Sequence, residues 1–296
     1  MPEVRLKITQ IQDDAEVKPM GKVIYESKSG VAIITINRPE VLNALDRETL
    51  VLLLSYLDDA ATDERFQSVI ITGEGRAFIA GADLKYFARY YDSGERLPYG
   101  EFIRNYLNRL ILKIVNMQKP VIAAINGTVA GAAIGIALSC DYKIAVDSAT
   151  FIDAFLEIGL IPDAGTTHFL LQSMPIARVS EFLTLGGTLN AVELLKYGLV
   201  NRVVKKEELV SEAMKVAQEY SNKPTRTVGM TKEIIRESHW NSLDKILEIE
   251  SQLQEAQGNS EEHKKRISAF IQRMQAPEKV KPQSKDVSKY STEDFQ

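Results

Sequence analysis

Three short segments rich in small residues follow apolar runs in this sequence, and each could place reactive groups beside a ligand. The first segment is RAFIAGADL (76–84). Ala80, Gly81 and Ala82 have little or no side chain, so a ligand could approach the main chain there and accept a hydrogen bond from a backbone N–H. An ordinary strand-to-helix turn with Asp83 as its cap explains the same residues, and both interpretations stay open.

The second segment, NGTVAGAAIGIALSCD (126–141), concentrates glycine and alanine at the start of an apolar helical pattern. A helix that begins near Ala132 would present unpaired N–H groups and the positive end of its dipole to an anion. Close packing of a helix against another element would also favour Gly131 and Gly135. The segment lacks both the GxxxxGKS/T pattern of a phosphate loop and the GxGxxG spacing of dinucleotide sites.

The third segment, AFLEIGLIPDAGTTH (154–168), contains two acids. Asp163 stands in a Pro-Asp-Ala-Gly turn before a predicted helix, where a helix cap is the default interpretation. Beside a closed apolar cleft, the same carboxylate could instead carry protons. Asp153, Phe155 and Glu157 alternate, so in an extended strand they would lie on one face, and Glu157 could serve as an auxiliary base.

These segments need a framework that brings strand ends and helix starts together, and the remaining sequence predicts one. Apolar residues at helical spacing predict helices over 46–61 and 101–117. Runs of β-branched residues, apolar almost throughout, predict strands that are covered on both faces. These runs are VAIITI (31–36), SVIITG (68–73), PVIAAI (120–125), YKIAV (142–146) and VNRVV (200–204). Strand–helix–strand alternation favours an α/β fold with a largely parallel sheet.

Changes in composition divide the chain into four stretches. Residues 1–21 form a polar lead-in, residues 22–204 the α/β core, and residues 205–275 a helical C-terminal region. The helices predicted in that region span 207–220, 225–238 and 241–274, the last with an interruption at 258–262. Residues 276–296 contain almost no aliphatic side chains and are predicted to be disordered.

Composition excludes several classes of protein. The 296 residues carry 36 Lys and Arg against 40 Asp and Glu, which leaves no basic face and argues against nucleic acid as a partner. Cys140 is the only cysteine and the three histidines lie far apart, so we expect neither disulfides nor a metal site. No stretch predicts a membrane span or a signal peptide. We expect a cytoplasmic protein without a metal, flavin or nicotinamide cofactor.

Five motifs, in this order, resemble the crotonase family, the enoyl-CoA hydratase/isomerase superfamily. They are ITINRPEVLNALD (34–46), FIAGADL (78–84), KPVIAAINGTVAGAAIGIALSCDY (119–142), IGLIPDAGTT (158–167) and LNAVELLKYGLVNRVV (189–204). Any one of them could occur by chance, whereas five in order are specific. The resemblance runs from about Val23 to Met274, most of the chain.

The resemblance implies a fold, an assembly and a ligand. A crotonase-like spiral of ββα turns would be followed by C-terminal helices that assemble homotrimers or homohexamers. The ligand would be an acyl-coenzyme A thioester, with coenzyme A as part of the substrate. The family's oxyanion hole would fall on the backbone N–H groups of Ala82 and Ala132. The residues assigned to substrate and CoA binding beside them would be Ala80, next to the adenine, and Gly81, Asp83, Leu84 and Gly131.

Two departures from the family pattern bear on the reaction. Hydratases of the family hold and activate a water molecule with two glutamates, and those positions fall here on Gly135 and Phe155, neither of which carries a proton. In the isomerase branch a single acidic base lies in the stretch that matches IGLIPDAGTT, and its position falls on Asp163. The resemblance therefore favours isomerisation of the Δ3,Δ2-enoyl-CoA type, with Phe155 as an apolar wall that excludes water.

Two other functions stay open at this point. One is an enoyl-CoA hydratase, a lyase, that positions water with Glu157 and Asp163. The other is a scaffold that binds acyl-CoA without turnover, because one fold hosts many functions.

The stretch 85–108 is rich in aromatic residues. By the resemblance it lines the acyl pocket. Tyr86, Phe87, Tyr90 and Tyr91 could then set the chain length of the substrate. Packing between helices explains these residues equally well.

Overall fold

Strands and helices alternate up to residue 204, and the described residues after it form helices. The computed structural model describes residues 21–94, 96 and 98–275, so the predicted tail and all of the predicted lead-in except Gly21 lie outside it. The strands are β1 (Val23–Lys28), β2 (Val31–Ile36), β3 (Ser68–Gly73), β4 (Ala77–Ile79), β5 (Val121–Ile125), β6 (Thr128–Ala130), β7 (Tyr142–Val146), β8 (Thr150–Ile152), β9 (Thr188–Asn190) and β10 (Arg202–Val204). The helices are α1 (Arg47–Thr62), α2 (Leu84–Ser93), α3 (Tyr99–Phe102), α4 (Asn108–Asn116), α5 (Ala132–Ser139), α6 (Thr166–Leu171), α7 (Ile176–Leu185), α8 (Ala191–Lys196), α9 (Leu209–Ser221), α10 (Thr225–Ser238), α11 (Leu243–Gly258) and α12 (Glu261–Gln275).

The five predicted β-branched runs form strands of the larger sheet, and β1 pairs with β2 at its edge. Within the described residues its strand order is β1-β2-β3-β5-β7-β10, antiparallel between β1 and β2 and parallel between the other neighbours. Ile34, Val121 and Ile144 are fully buried, as strands of a sheet covered on both faces should be. The predicted parallel α/β sheet is therefore present.

A second, smaller sheet makes the fold a spiral. Each of β3, β5 and β7 leads through a short turn into a strand of this sheet, whose order in the described chain is β4-β6-β8-β9. A helix follows each pair of strands: α2, α5 and α6 in turn. This repeated strand–strand–helix unit is the ββα spiral that the resemblance implies. Strands of three residues have too little pattern of their own to be predicted.

Helix α1 shows how local signals and packing agree. The Asp46 carboxylate accepts a hydrogen bond from the Thr49 N–H at 2.9 Å and so caps the helix. Leu50, Leu53 and Leu57 lie on its buried face. Each buried leucine stabilises the fold by about 1.5–3 kcal/mol, so this face holds the helix on the sheet.

The helix predicted over 101–117 is interrupted. It consists of α3, a π-helical turn (Ile103–Leu107) and α4. The wider turn brings Phe102 and Leu107, five positions apart, to the buried side, whereas Tyr106 stays half-buried. Regular 3.6-residue spacing would not bury both, so tertiary packing overrides the helical period here.

The chain divides into two compact units between Trp240 and Asn241. Helix α9 packs on β3, β5 and β7 in the first unit. Helix α10 is joined to the same unit by an ion pair between Lys232 Nζ and Asp141 Oδ2 at 2.6 Å. The predicted helical region 205–275 therefore supplies α9 and α10 to the first unit, and α11 and α12 belong to the second. No helix in the described ranges is long and apolar enough to cross a bilayer.

Candidate active site

Ala82 lies in the loop between β4 and α2, and a one-residue parallel bridge to Leu45 orients it. The Leu45 N–H donates to the Gly81 carbonyl at 2.8 Å, and the Asp83 N–H donates to the Leu45 carbonyl at 2.9 Å. In this pairing the residues on either side of Ala82 face Leu45, so the N–H of Ala82 itself points to the opposite side. Among the described residues it has no hydrogen-bond acceptor.

The Ala82 loop meets the start of α5. Gly81 has φ +86°, and a Cβ atom on it would lie 2.9 Å from the Ala130 carbonyl oxygen and 4.0 Å from Gly131 Cα. Only glycine permits this approach together with this φ. The first two small-residue segments of the sequence are therefore brought into direct contact.

Ala132 is the first residue of α5 and is buried. Its N–H has no partner within the helix, because the first N–H groups of a helix lack a preceding carbonyl. Gly131 before it, at φ 56° and ψ −130°, offers no side chain to cap the helix. The Gly131 N–H donates to the Ile152 carbonyl at 3.1 Å, and this hydrogen bond holds the start of the helix against β8. A buried, unpaired N–H with the positive helix end behind it can stabilise an oxyanion.

Asp163 lies in the turn that precedes α6, and its environment favours the protonated form. Burial raises the pKa of this carboxyl from 3.8 to about 6. Its Oδ1 atom is buried and has no hydrogen-bond partner in the described structure. The carboxylate does not cap α6, whose first residue Thr166 instead donates its N–H to the Asp163 carbonyl oxygen at 2.9 Å. A half-buried acid with a pKa near neutrality suits proton transfer.

The Asp163 turn packs against α5, one turn beyond Ala132. A Cβ atom on Gly135 would lie 2.0 Å from the Ala164 carbonyl oxygen and 3.1 Å from Ala164 Cβ. Gly135 lies about 4.5 Å along the helix axis from Ala132. Gly135 is the position where the resemblance places a hydratase glutamate. The space that a side chain would need there is occupied by the Ala164 carbonyl, next to Asp163.

We predict that Gly135→Ala disrupts this contact. The obstacle is backbone, so the Asp163 turn must move, and the free energy of unfolding should fall by about 1–3 kcal/mol. Catalysis should fall as well, because the carboxylate moves with the turn. Urea unfolding and turnover measured together check this. Gly258→Ala, at the end of α11 with nothing within 4 Å of the added Cβ, is the matched control. Unchanged stability of Gly135→Ala would contradict the packing.

Phe155 is buried and Glu157 is exposed, so the two residues do not share one environment. Phe155 is buried, and two atoms of its ring would lie 4.0 Å from a Cβ on Gly131, so the ring borders the start of α5. Glu157 lies on a 3-10 turn (Leu156–Ile158) and is exposed. The segment is not extended, so Glu157 does not share a strand face with Phe155. Asp153 is buried, and its Oδ1 accepts the Phe155 N–H at 3.3 Å.

The aromatic residues predicted to line an acyl pocket form one cluster. Phe87 is buried. Its ring stacks on the ring of Tyr99 and contacts the ring of Tyr86 edge-on, with 5.3 Å between ring centroids in both pairs. Tyr90 contacts Tyr86 at 6.3 Å. The side chain of Tyr91 lies outside the described structure. Packing within this cluster accounts for the aromatic residues, so their link to substrate length stays a prediction.

The remaining predicted binding residues surround the Ala82 loop. Ala80 is half-buried and donates its N–H to the Leu42 carbonyl at 3.1 Å. Leu84 is half exposed at the start of α2. Asp83 is buried and paired with Arg38, a residue that sequence reasoning did not assign to the site. Its only signal was its place in the quoted motif ITINRPEVLNALD.

Comparisons with known proteins identify the family and the fold. The family model for enoyl-CoA hydratase/isomerase matches residues 26–281. The chain is 34% identical to 1,2-epoxyphenylacetyl-CoA isomerase of Escherichia coli over 85% of its length and 96% of the relative's. It is 30% identical to crotonyl-CoA hydratase of Syntrophomonas wolfei, and the match covers 86% of this chain and 96% of the relative. The crystal structure of an enoyl-CoA hydratase from Polaromonas matches with a TM-score of 0.79 and 31% identity, covering 86% of this chain and 98% of that one. The protein therefore belongs to the enoyl-CoA hydratase/isomerase family, with the crotonase fold.

Proposed function

We propose that this protein is an enoyl-CoA isomerase of the Δ3,Δ2 type, with Asp163 as its single acid and base. The observation that carries the proposal is the half-buried Asp163 carboxyl, which has a buried, unpartnered Oδ1 among the described residues and a pKa raised to about 6, on a turn packed against α5. Gly135 and Phe155 occupy the positions of the two hydratase glutamates, and neither side chain can accept or donate a proton.

The proposed reaction starts with the thioester carbonyl of a 3-enoyl-CoA bound by the N–H groups of Ala82 and Ala132. These donors stabilise negative charge on the oxygen and so acidify the protons at C2. Asp163 removes one C2 proton, and the electron pair moves into a dienolate. The dienolate takes the proton back at C4 from the Asp163 carboxyl. The double bond then lies between C2 and C3, and the enzyme returns to its starting state.

The apolar surroundings support a one-base reaction. Phe155 stands beside the start of α5 as a buried ring in place of an acid that would bind water. Exclusion of water strengthens the hydrogen bonds to the enolate and leaves no nucleophile for hydration. Burial also keeps the pKa of Asp163 high enough for the acid to return the proton.

Names of the relatives support an isomerase without choosing its substrate. One relative is named 1,2-epoxyphenylacetyl-CoA isomerase, and another, 29% identical, is trans-2-decenoyl-[acyl-carrier-protein] isomerase of Streptococcus mutans. Others are named hydratases. The coarser function, an acyl-CoA enzyme of the enoyl-CoA hydratase/isomerase family, does not depend on that choice.

A panel of 2-enoyl, 3-enoyl and ring-epoxide CoA thioesters tests the proposal. We expect movement of the double bond in 3-enoyl-CoA and no hydration of crotonyl-CoA. Efficient hydration with little isomerisation would favour the alternative hydratase, with Glu157 and Asp163 holding water. Tight binding of acyl-CoA without any turnover would favour a scaffold.

The isomerase should have a rate that rises through pH 6. Asp163 must be deprotonated to take the C2 proton, and its pKa is about 6, so kcat/KM should fall below that pH. An acyl-pantetheine thioester is the substrate to use, since it has no phosphate that titrates in the same range. A profile that is flat between pH 5 and 8 would contradict Asp163 as the base.

We also propose that the second unit serves homo-oligomer assembly, as a trimer or hexamer. Four apolar residues of α12 follow helical spacing and are exposed: Ile267, Phe270, Ile271 and Met274. An exposed apolar stripe of this kind favours a partner surface. Light scattering of the purified chain measures the assembly state, and a monomer would refute the proposal.

A further inference from the structure

Arg38 connects both sides of the Leu45–Ala82 bridge. Its Nη1 donates to the carbonyl of Ala44, next to Leu45, and its Nη2 donates to Asp83 Oδ2 at 2.7 Å, next to Ala82. Both side chains of the ion pair are only 11% exposed. One guanidinium therefore holds the two segments that form the bridge.

The bridge needs such support, because it contains only two hydrogen bonds, at 2.8 and 2.9 Å. The segment before it is strained: Leu42 and Asn43 have φ +55° and +60°. Non-glycine residues in this region cost roughly 1–3 kcal/mol each and persist only where neighbours hold them. The Arg38 N–H donates to Asn43 Oδ1 at 2.9 Å, so Arg38 acts on this strained segment from its main chain as well.

We propose that Arg38 is a positioning residue for the oxyanion donor of Ala82. The inference rests on the proposed function, in which the Ala82 N–H binds the thioester oxygen. Arg38 touches neither the donor nor the reacting atoms. It locks Asp83 and Ala44 together, and through them it keeps Leu45 paired on both sides of Ala82. The Ala82 N–H is thereby kept pointing away from Leu45 before substrate binds.

The expected consequence concerns the transition state. A displacement of about 1 Å in a positioned group can cost about 10²-fold in rate. The enolate depends on the donor more than the neutral thioester does, so kcat should fall while KM changes little. An ion pair with a purely structural role would instead change the stability of the fold and leave the hydrogen bond to the bound thioester intact.

Two variants test the pair from each side. Arg38→Lys keeps the charge but cannot hold Ala44 and Asp83 with one forked group. Asp83→Asn keeps the shape but removes the charge. Each should lower kcat about 10²-fold, and the double variant should be no worse than either, because both remove the same link. Arg202→Lys on β10 makes the same change in a more exposed ion pair, to Glu212 of α9 at 2.8 Å, and is the matched control.

The decisive readout is the infrared carbonyl stretch of a bound acyl-CoA labelled with ¹³C at the thioester carbon. In the wild-type protein the stretch should shift to lower frequency than in free acyl-CoA, since the oxyanion donors polarise the carbonyl. Arg38→Lys and Asp83→Asn should lose part of the shift at saturating ligand, and Arg202→Lys should keep it. Thermal unfolding midpoints are measured in parallel.

The outcomes separate the two proposals. A wild-type shift that both variants retain, with unchanged kcat, overturns the role of Arg38 and leaves the proposed function intact. A shift that decreases only in proportion to lost folded protein also overturns it. Absence of any shift in the wild-type protein refutes the oxyanion hole, and the proposed function falls with it.

Discussion

Replacing Asp163 with Asn should lower kcat for isomerisation of a 3-enoyl-CoA by about 10²–10⁴-fold, the range for loss of a general acid–base group. The amide of Asn fills the same space but can neither take the C2 proton nor return it. Binding of the thioester should persist, because the donors at Ala82 and Ala132 are untouched. Steady-state turnover and the dissociation constant of a saturated acyl-CoA measure the two effects separately.

Stability distinguishes a catalytic loss from a folding defect. The pKa of Asp163 is raised to about 6 in the folded protein, above its ordinary value of 3.8. The folded state therefore holds the proton more tightly, and this contribution to stability, complete below pH 3.8, is lost as pH rises through 6. Asp163→Asn avoids that loss, so at pH 8 it should unfold at or above the wild-type temperature.

The control for Asp163→Asn is Asp147→Asn, which removes a carboxylate from a surface pair with Lys205. It should leave kcat unchanged. Wild-type turnover in Asp163→Asn would refute the one-base mechanism. Equal losses in both variants would do the same.

Replacing Ala132 with Pro should lower kcat by about 10²–10³-fold, as expected for the loss of one oxyanion donor. Proline is tolerated at the first position of a helix, where its missing N–H has no helical partner to lose. Gly131 before it has ψ −130°, the mirror image of the extended backbone that proline requires of its neighbour, and only glycine adopts it readily. The helix should form, while the donor is absent.

Two further variants identify the cause of that loss. Ala132→Gly keeps the N–H and should retain most of the activity. Ile176→Pro places proline at the first position of α7, after an extended Pro175, at an exposed site, and should leave activity unchanged. If Ala132→Gly lost as much activity as Ala132→Pro, the methyl group and not the N–H would be the functional feature.

Local sequence patterns were sufficient wherever an element is stabilised by its own residues. The runs at 31–36, 68–73 and 142–146 became β2, β3 and β7 with the predicted bounds, because continuous β-branched residues suit buried parallel strands. The helix predicted at 225–238 is α10. The interruption expected near residue 258 separates α11 from α12.

Prediction of secondary structure failed where pairing or packing with distant parts of the chain determines the local conformation. The strand β4 and its neighbours in the smaller sheet are held by pairing across the spiral, which no short window of sequence shows. The π-helical turn at Ile103–Leu107 follows the burial of Phe102 and Leu107. Glu157 lies on an exposed turn, although alternation with Phe155 suggested a shared face.

The sequence by itself determined the family, five strands of the larger sheet and the candidate groups, because residue type and spacing along the chain specify them. Tertiary structure alone decided that Gly81 meets Ala130, that the Ala164 carbonyl occupies the space at Gly135, and that Arg38 joins Ala44 to Asp83. Each of these is a contact between segments far apart in the chain. Such contacts form only when the whole spiral closes and buries its shared core.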